Sequence, residues 1–406
     1  AFFIWSSIVA RNLNFLQVNN FNWSTTQMKK TLIAAAVMAA SSVAFAASNV
    51  TLYGVLDGGV QLSKTKGSAN VVSFDSGNFM GSRWGIKGVE DLGNGNAVGF
   101  QLEQGFNMDS GNASSSARAF HRISRLYVNG SWGEIGFGRF GSLSSGTGPY
   151  SLLDSWGGSL LATSFGGTNA WDTIAGNTGR VNNALVYVTP NFAGFKISAM
   201  YSNGVDDDTN KWAKNQHYYG IGASYAAGSL KSSLIFDVRD NKGNNGTYEI
   251  TEKAGTDDVD IANKVKKAIY SVNYGLSYNF GPITPQFGYA FTTQADVASQ
   301  HTFGLSATAP VAGGEAALGA RYVFGKLDGQ LKRECEADGD ETKYRLLTIN
   351  AMYKYNLSKR TSVYGYAGWT DGSKLYKDTG KIGNWFTGTA INSNGYSVAF
   401  GLVHSF

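Results

Sequence analysis

The chain has 406 residues and a formal net charge of +5, with 52 Gly against 5 Pro. Hydrophobic residues make up 43% of it and charged residues only 16%, where a soluble domain carries about 25%. This composition excludes a collagen-like or disordered chain, and the single cysteine, Cys335, excludes a disulfide framework. Only four histidines are present, so we expect no metal centre and no other cofactor.

Residues 28–46 have the organisation of a secretory signal. A basic Met28-Lys29-Lys30 start precedes an apolar stretch that ends in Ala44-Phe45-Ala46, which predicts cleavage after Ala46. A transmembrane helix is the alternative, but the stretch is shorter than the roughly 20 apolar residues that a span requires. Residues 1–27 are expected to be an extension without a structural role, and residues 47–406 to form one domain.

Removing residues 1–46 deletes Arg11, Lys29 and Lys30 and no acid, so the net charge falls from +5 to +2. The basic balance is therefore no argument for a nucleic-acid partner. No later segment offers 18 consecutive apolar residues. The exported product is then soluble in the periplasm, secreted, or a β-barrel of an outer membrane.

Alternation of period two dominates the rest of the chain and predicts sixteen strands. They are expected at 49–63, 79–90, 97–106, 120–129, 133–140, 180–190, 194–202, 217–226, 229–239, 267–280, 283–292, 300–309, 314–325, 343–355, 361–370 and 396–406.

The connections between these strands alternate in length. Short turns are followed by long connections, which are expected at 64–78, 107–119, 141–179, 203–216, 240–266, 293–299, 326–342 and 371–394. An even strand number with all long loops at one end is typical of an antiparallel outer-membrane barrel with short periplasmic turns. A closed barrel also satisfies every backbone polar group in lipid.

Enzymatic motifs are missing from the sequence. It contains no Gly-x-Ser-x-Gly elbow, no His-Glu-x-x-His and no P-loop. We therefore expect a protein that is not an enzyme.

The last predicted strand keeps large residues at every second position from Tyr396 to Phe406. It resembles the closing strand of bacterial outer-membrane proteins, which the barrel assembly machinery recognises. Phe406 is therefore predicted to be part of an assembly signal; the alternative is an ordinary amphipathic strand.

Several segments together carry a family resemblance. They are Asn49 to Asp57, Gly81-Ser-Arg-Trp-Gly-Ile-Lys-Gly-Val-Glu-Asp-Leu-Gly93, Phe100 to Phe106, Gly138-Arg139, Arg180 to Phe195 and Gly401 to Phe406. In this order they resemble the general porins of β-proteobacteria and Neisseria-type bacteria. The resemblance implies a sixteen-stranded, water-filled barrel for small hydrophilic solutes and ions. It also implies a homotrimer embedded in outer-membrane lipid and lipopolysaccharide, with the third external loop folded into the lumen.

The third loop, residues 140–179, is predicted to be buried from its composition alone. It carries only two charges, Asp154 and Asp172, among many large apolar residues. Exposed, it would form an apolar patch larger than soluble surfaces carry. We therefore predict that it narrows the pore; the alternative is packing on a partner subunit or over the mouth. The loop 240–266, rich in charges, is expected to be solvated.

Strand alternation assigns faces to the charged residues. In 82–89, Trp84 and Ile86 suit lipid, whereas Arg83 and Lys87 suit the lumen. The reverse assignment would place two cations on the lipid face, at up to about 2–4 kcal/mol each near the midplane. The same test places Glu103 in the lumen.

In 180–188 the test directs Val181, Leu185 and Tyr187 to lipid, and Arg180 inward. Arg139 does not fit this rule, because it lies on the same strand face as the apolar residues Ile135 and Phe137, which are expected to face lipid. Ending the regular strand at Gly138 resolves this conflict.

The resemblance implies that Arg83, Arg139 and Arg180 cluster on the pore wall opposite acids of the inward loop, for which Asp154 and Asp172 are the candidates. The alternative is that these arginines are ordinary solvating residues of a polar lumen. With Lys87 and Glu103 included, a small cation surplus predicts a weak anion preference.

Aromatic residues near strand ends fit an interfacial girdle better than a sugar-binding track. They include Tyr218, Tyr219, Tyr270, Tyr274, Tyr278, Tyr353, Tyr355, Tyr364, Tyr366 and Trp369. The sequence favours a passive general-diffusion porin over a substrate-selective channel on the same barrel, and over a barrel enzyme or adhesin.

Overall fold

The computed structural model describes residues 50–153, 164–165, 168–169, 179–206, 208–209, 211–240, 250–254, 257–261, 267–337, 339–374 and 394–406. The predicted extension 1–27, the predicted signal 28–46, and the two acids predicted for the third loop, Asp154 and Asp172, lie outside these residues. Within the described residues, no helix is long and apolar enough to cross a membrane.

Sixteen long strands form the main sheet. They are β1 Thr51–Thr65, β2 Arg83–Gly93, β3 Asn96–Gly105, β4 Ile123–Gly130, β5 Gly133–Gly141, β6 Arg180–Val188, β7 Phe195–Ser202, β8 Tyr218–Ala227, β9 Leu230–Arg239, β10 Ile269–Tyr278, β11 Thr284–Gln294, β12 Ala298–Val311, β13 Gly314–Leu327, β14 Lys343–Asn356, β15 Thr361–Gly372 and β16 Asn394–Ser405. All sixteen predicted strands are confirmed, with ends that differ by a few residues.

Each strand pairs with its sequence neighbours in antiparallel register, and the last strand returns to the first. β16 pairs with β1 from Ser405 opposite Val55 to Gly395 opposite Thr65. Beyond this ladder, Phe406 exchanges two backbone hydrogen bonds of 3.1 Å with Gly54. The sheet is therefore a closed barrel without a free edge at this seam, which is the architecture that the sequence predicted.

The two faces of the strands differ as alternation requires. Along β9, exposed and buried residues alternate: Leu234 and Phe236 are exposed, whereas Ile235 and Asp237 are buried. Trp84, Leu185 and Tyr187 are also exposed, as predicted for the lipid face. The outer face is thus apolar, and the inner face carries most of the polar side chains.

Residue Val181 contradicts the predicted alternation in β6, because it is fully buried. The cause is an irregular register between β5 and β6, where Gly138 pairs with Ala184 but Phe140 pairs with Val181. Asn183, which lies in this step, has a φ of 49°. The extra residue turns Val181 to the inner face, which makes the lipid-facing prediction for Val181 wrong.

The prediction that β5 ends at Gly138 is also wrong, because the strand continues to Gly141. Gly138 has a φ of 126° and distorts the strand without ending it. Arg139 pairs with Ser124 and keeps the parity of Phe137, so the conflict seen in the sequence persists in the register.

Short turns and long connections alternate with one exception. The connection between β11 and β12 is only 295–297, because both strands extend beyond their predicted ends. The predicted long loops also contain short elements. These are the strands Val71–Ser76, Ser164–Phe165, Thr168–Asn169, Ile250–Ala254 and Asp257–Ile261, the 3₁₀ turn Trp212–Lys214 and the helix α1 Gly329–Ala337.

Candidate pore constriction

A cluster of charged side chains centres on Glu103 of β3, which is almost completely buried. Its carboxylate lies 2.8 Å from Nε of Arg122 and 3.5 Å from Nε of Arg83. The Tyr53 hydroxyl donates a third contact to the same carboxylate, at 3.1 Å. One acid is thus shared between two guanidinium groups that β2 and the second loop bring together.

Hydrogen bonds continue this cluster along the wall. Gln101 donates to the Tyr53 hydroxyl at 2.8 Å, and Arg125 Nε donates to the Gln101 side-chain oxygen at 3.1 Å. The Lys87 ammonium lies 5.3 Å from the centre of the Tyr53 ring, within the range of a cation–π contact. Alternate residues of β1, β3 and β4 therefore form one connected polar surface.

Arg125 ties this surface to the third loop. Its Nη1 lies 3.2 Å from a Glu134 carboxylate oxygen and donates to the Tyr150 hydroxyl at 2.8 Å, and Tyr150 in turn donates to Glu134 at 2.7 Å. The guanidinium also stacks 4.3 Å from the centre of the Tyr127 ring. These contacts hold the loop at Tyr150 against β4 and β5.

The remaining predicted cations, Arg139 and Arg180, lie at one end of this cluster, near His121. Arg139 donates to the His121 carbonyl and to the Asn182 side-chain oxygen, each at 2.6 Å. Burial, followed by the nearby cations Arg180, Arg122 and Arg139, lowers the pKa of His121 to about 4. Arg139 and Arg180 therefore lie near the Arg122 end of the cluster, around a histidine that is neutral at physiological pH.

The described start of the third loop, 142–153, packs against strands beyond β5. Leu143, Tyr150 and Leu153 are buried in one apolar cluster with Met200 of β7 and Ile235 of β9. The Leu143 amide donates to the Tyr218 hydroxyl at 3.3 Å, and that hydroxyl donates to the buried Asp237. Further along the loop, Ser164–Phe165 lies near β15.

A second segment, 77–82, follows the strand Val71–Ser76 and is fastened to Asp57 of β1. The fully buried Asp57 carboxylate accepts the amides of Phe79 at 2.7 Å and Met80 at 2.5 Å, and the Tyr364 hydroxyl at 2.7 Å. The Phe79 ring lies 5.5 Å from the Tyr364 ring.

This arrangement corrects part of the predicted aromatic girdle. Tyr218, Tyr364 and Tyr366 are buried on the inner face, where their hydroxyls contact polar groups. The exposed positions Tyr219, Tyr270, Tyr278, Tyr353, Tyr355 and Trp369 agree with a girdle. In the loop 240–266, Asp240 is buried, so the expectation of a solvated loop does not extend to its first residue.

Sequence reasoning missed Tyr53, Arg122, Arg125, Glu134 and Tyr150 as members of the cluster. Strand parity indicates the inner face for three of them, since Tyr53 follows the exposed Leu52, Arg125 precedes the exposed Leu126, and Glu134 precedes the exposed Phe137 by three residues. Arg122 and Tyr150 lie in loops, where parity has no meaning. The single cysteine, Cys335, is buried in α1.

The comparisons with known proteins agree with the barrel fold. A family model described as Gram-negative porin matches residues 33–375. The chain is a Gram-negative porin. It is 28% identical to an outer membrane porin protein of Bordetella pertussis, over 86% of this chain and 96% of that protein.

Two further comparisons support the same family. The porin is 30% identical to outer membrane porin protein 32 of Delftia acidovorans, over 83% of this chain and 88% of that protein. The solved structure of an anion-selective porin from Comamonas acidovorans has a TM-score of 0.63 and 25% identity, and covers 88% of this chain and 100% of that chain. The porin is therefore a multi-pass barrel of the outer membrane and a passive diffusion channel rather than an enzyme.

Proposed function

We propose that this porin is a general-diffusion channel with a weak preference for anions, and that residues 140–179 fold into the lumen to form its waist. The observation that carries the proposal is the sharing of Glu103 between Arg83 and Arg122. One carboxylate neutralises one of the two cations, so positive charge is left over on the wall.

The loop contacts support the placement of the waist. Leu143 and Tyr150 are buried against residues that alternate with lipid-exposed ones, and Ser164–Phe165 lies near β15 although the loop begins at β5. A loop that joins these two parts of a closed barrel has its direct path through the interior. Asp154 and Asp172 are the loop acids proposed to face the cationic wall.

The wall charges support the anion preference. The connected network contains Arg83, Lys87, Arg122 and Arg125 against Glu103 and Glu134. Arg139 and Arg180 are proposed to add positive charge at the edge of the waist. The similar porin from Comamonas acidovorans is described as anion-selective. Mobile ions screen fixed charges over roughly 8 Å at physiological ionic strength, so the preference fades as salt rises.

The reversal potential in a salt gradient tests the anion preference. We expect the native porin to favour anions at low salt, and the variant Arg83→Ser with Arg122→Ser to shift its reversal potential towards cations, because Glu103 then lacks both of its neutralising partners. The matched control is Lys359→Ser with Arg360→Ser, which removes two exposed cations from the turn between β14 and β15. Strong cation selectivity of the native porin at low salt would refute the assignment.

Deleting residues 152–165 tests the waist. We expect a higher single-channel conductance and a larger size limit for neutral sugars, provided that the variant still migrates as a folded barrel. A folded deletion variant with an unchanged size limit would show that these residues do not narrow the pore. Saturable flux of one solute class in liposomes would instead favour a substrate-selective channel.

The porin is also proposed to be a homotrimer. Val60, Phe74 and Phe400 are exposed side by side, since Val60 pairs with both of the others across neighbouring strands. Phe74 is 76% exposed and lies on a short strand added to β1, which makes this face suited to a second copy. Native mass spectrometry of Phe74→Ser is expected to show a shift from trimer to monomer.

Phe406 is proposed to serve the barrel assembly machinery. Its ring fills the space that a side chain on Gly54 would occupy, so it closes the seam between β16 and β1. Deletion of Phe406 is expected to reduce assembly in cells. Normal membrane levels of the deletion variant would contradict this role. N-terminal sequencing of the membrane fraction is expected to begin at Ala47, after the predicted signal.

A further inference from the structure

A cavity of about 430 Å³ lies at the end of the barrel that bears the short turns. The turns after β2, β4 and β6 line it, together with Pro149 and Tyr150 of the third loop. Ligand pockets in proteins usually measure about 300–1,000 Å³. The cavity is therefore large enough for a small solute, and it belongs to one sector of the barrel wall.

Two side chains of opposite charge line this cavity, Glu134 of β5 and Lys196 of β7. Glu134 uses Oε1 for both of its contacts, which are the Arg125 guanidinium at 3.2 Å and the Tyr150 hydroxyl at 2.7 Å. Among the described residues, Glu134 Oε2 and the Lys196 ammonium have no hydrogen-bond or ion-pair partner. The cavity thus offers one free carboxylate oxygen and one free ammonium group.

These two charges face the same space without neutralising each other. Glu134 pairs with Val188, and Val188 pairs with Ser198, so Glu134 and Ser198 stand two strands apart in register. Lys196 lies two residues further along β7 on the same face. Strand spacing and rise then place the Cα atoms of Glu134 and Lys196 about 12 Å apart. This separation leaves room for a small molecule between the two charged ends.

Uncharged polar groups complete the lining. The Asn129 side chain also has no partner among the described residues. Asn191 commits its side-chain oxygen to the Gly194 amide at 2.7 Å, which leaves its amide nitrogen available. A lining of amides between two opposite charges suits a ligand that carries both charges and a polar side chain.

We propose that this cavity binds zwitterionic solutes of amino-acid size. The ammonium group of the solute donates to Glu134 Oε2, and its carboxylate accepts from the Lys196 ammonium. Charge-assisted hydrogen bonds of this kind are about twice as strong as neutral ones. A solute with a single charge satisfies only one of the two protein groups. The inference goes beyond the general-diffusion channel, and it depends neither on the anion preference nor on the waist.

Titration of the folded porin with L-glutamine tests the site. Saturation-transfer NMR in detergent micelles, at low salt and pH 7, gives the dissociation constant. Two analogues of similar chain length each lack one charge, since 4-carbamoylbutanoate has no ammonium group and 4-aminobutanamide has no carboxylate. The variants are Lys196→Met and the conservative Lys196→Arg. The matched control is Lys231→Met, which removes an exposed inner-face lysine of β9 at the same barrel end, outside the cavity.

We expect the native porin and the control to bind L-glutamine saturably, and Lys196→Met to bind it about tenfold more weakly, because one charge-assisted hydrogen bond is lost. Lys196→Arg should restore most of the binding. Each singly charged analogue should bind the native porin about tenfold more weakly than L-glutamine, for the same reason.

Equal binding by Lys196→Met and Lys231→Met overturns the proposal, as does the lack of saturable binding to the native porin. Equal binding of L-glutamine and 4-carbamoylbutanoate also overturns it, because the cavity would then be a simple anion site. Single-channel conductance in planar bilayers is measured on the same variants, so the failure of the site is distinguished from the failure of the channel.

Discussion

Two loop segments contact the polar wall of this porin, and they are held in different ways. The segment 77–82 is held mainly at one residue, Asp57: its carboxylate accepts the amides of Phe79 and Met80, and its backbone contacts Gly77 and Ser82. The segment 142–153 is held at several separate points, which include Leu143 in the apolar cluster and Tyr150 on Arg125.

This difference determines how many substitutions are needed to release each segment. A single buried acceptor that satisfies several donors leaves all of them unsatisfied when it is lost, and each buried unsatisfied donor costs about 1–3 kcal/mol. Distributed contacts fail one at a time, since the loss of one leaves the others in place. The short segment should therefore respond to one substitution and the long segment to several.

The largest effect is expected for Asp57→Ala. It leaves the Phe79 and Met80 amides and the Tyr364 hydroxyl without their acceptor, so we expect a loss of about 4 kcal/mol in the free energy of unfolding. The measurement is urea unfolding of the barrel in detergent, followed by the gel mobility of folded and unfolded forms.

Two variants sharpen this prediction. Asp57→Asn keeps one side-chain oxygen and should lose less than the alanine variant. Asp91→Ala, which removes a carboxylate from the exposed end of β2, should change stability little. If Asp57→Ala unfolds at the same urea concentration as Asp91→Ala, the segment 77–82 is not held by this carboxylate.

A smaller loss, about 3 kcal/mol, is expected for Leu143→Ala, because the leucine is fully buried and its truncation leaves a cavity. The segment 142–153 should nevertheless stay in place through Tyr150. The same urea titration measures the stability, and single-channel conductance measures the loop position. A large rise in conductance on this one substitution would contradict distributed attachment.

Tyr150→Phe should cost about 1 kcal/mol, since it removes the hydroxyl between Arg125 and Glu134 but leaves their direct contact of 3.2 Å. In single-channel recordings we expect more current noise and an unchanged mean conductance. Tyr270→Phe, at an exposed position on the outer face, is the matched control and should behave as the native porin.

The strands and the closure of the barrel were predictable because apolar and polar residues alternate along each strand. This alternation keeps polar side chains away from lipid. β13 shows this, since Tyr322 and Phe324 are exposed while Arg321 and Val323 are buried. The prediction failed where the backbone leaves regular alternation. An extra residue in β6 moves Val181 from the outer face to the inner face. Neither composition nor spacing predicts such an extra residue.

The candidate site was predictable only in its strand-borne part. Arg83 and Glu103 were placed together because both lie on regular strands. Arg122 and Tyr150 depend on the paths of two loops, which are set by tertiary contacts such as Tyr150 with Arg125 rather than by local pattern. Asp57 was visible in a strand motif, but its function as an acceptor for a loop requires knowing where that loop returns.

The smallest effect concerns His121 and pH. Burial and the neighbouring arginines lower its pKa to about 4, whereas in the unfolded chain it titrates near 6.5. The unfolded chain therefore takes up a proton first as the pH falls, so the contribution of neutral His121 to stability is complete above about pH 6.5 and is lost as the pH falls towards 4. Between about pH 7 and pH 5 the histidine stays uncharged in the barrel and adds no cation beside Arg122 and Arg139. We expect the difference in reversal potential between the native porin and His121→Gln to be the same at both pH values. An anion preference that grows at the lower pH in the native porin, and does not grow in His121→Gln, would show that the histidine is protonated and that the arginines lie farther from it than the structure places them.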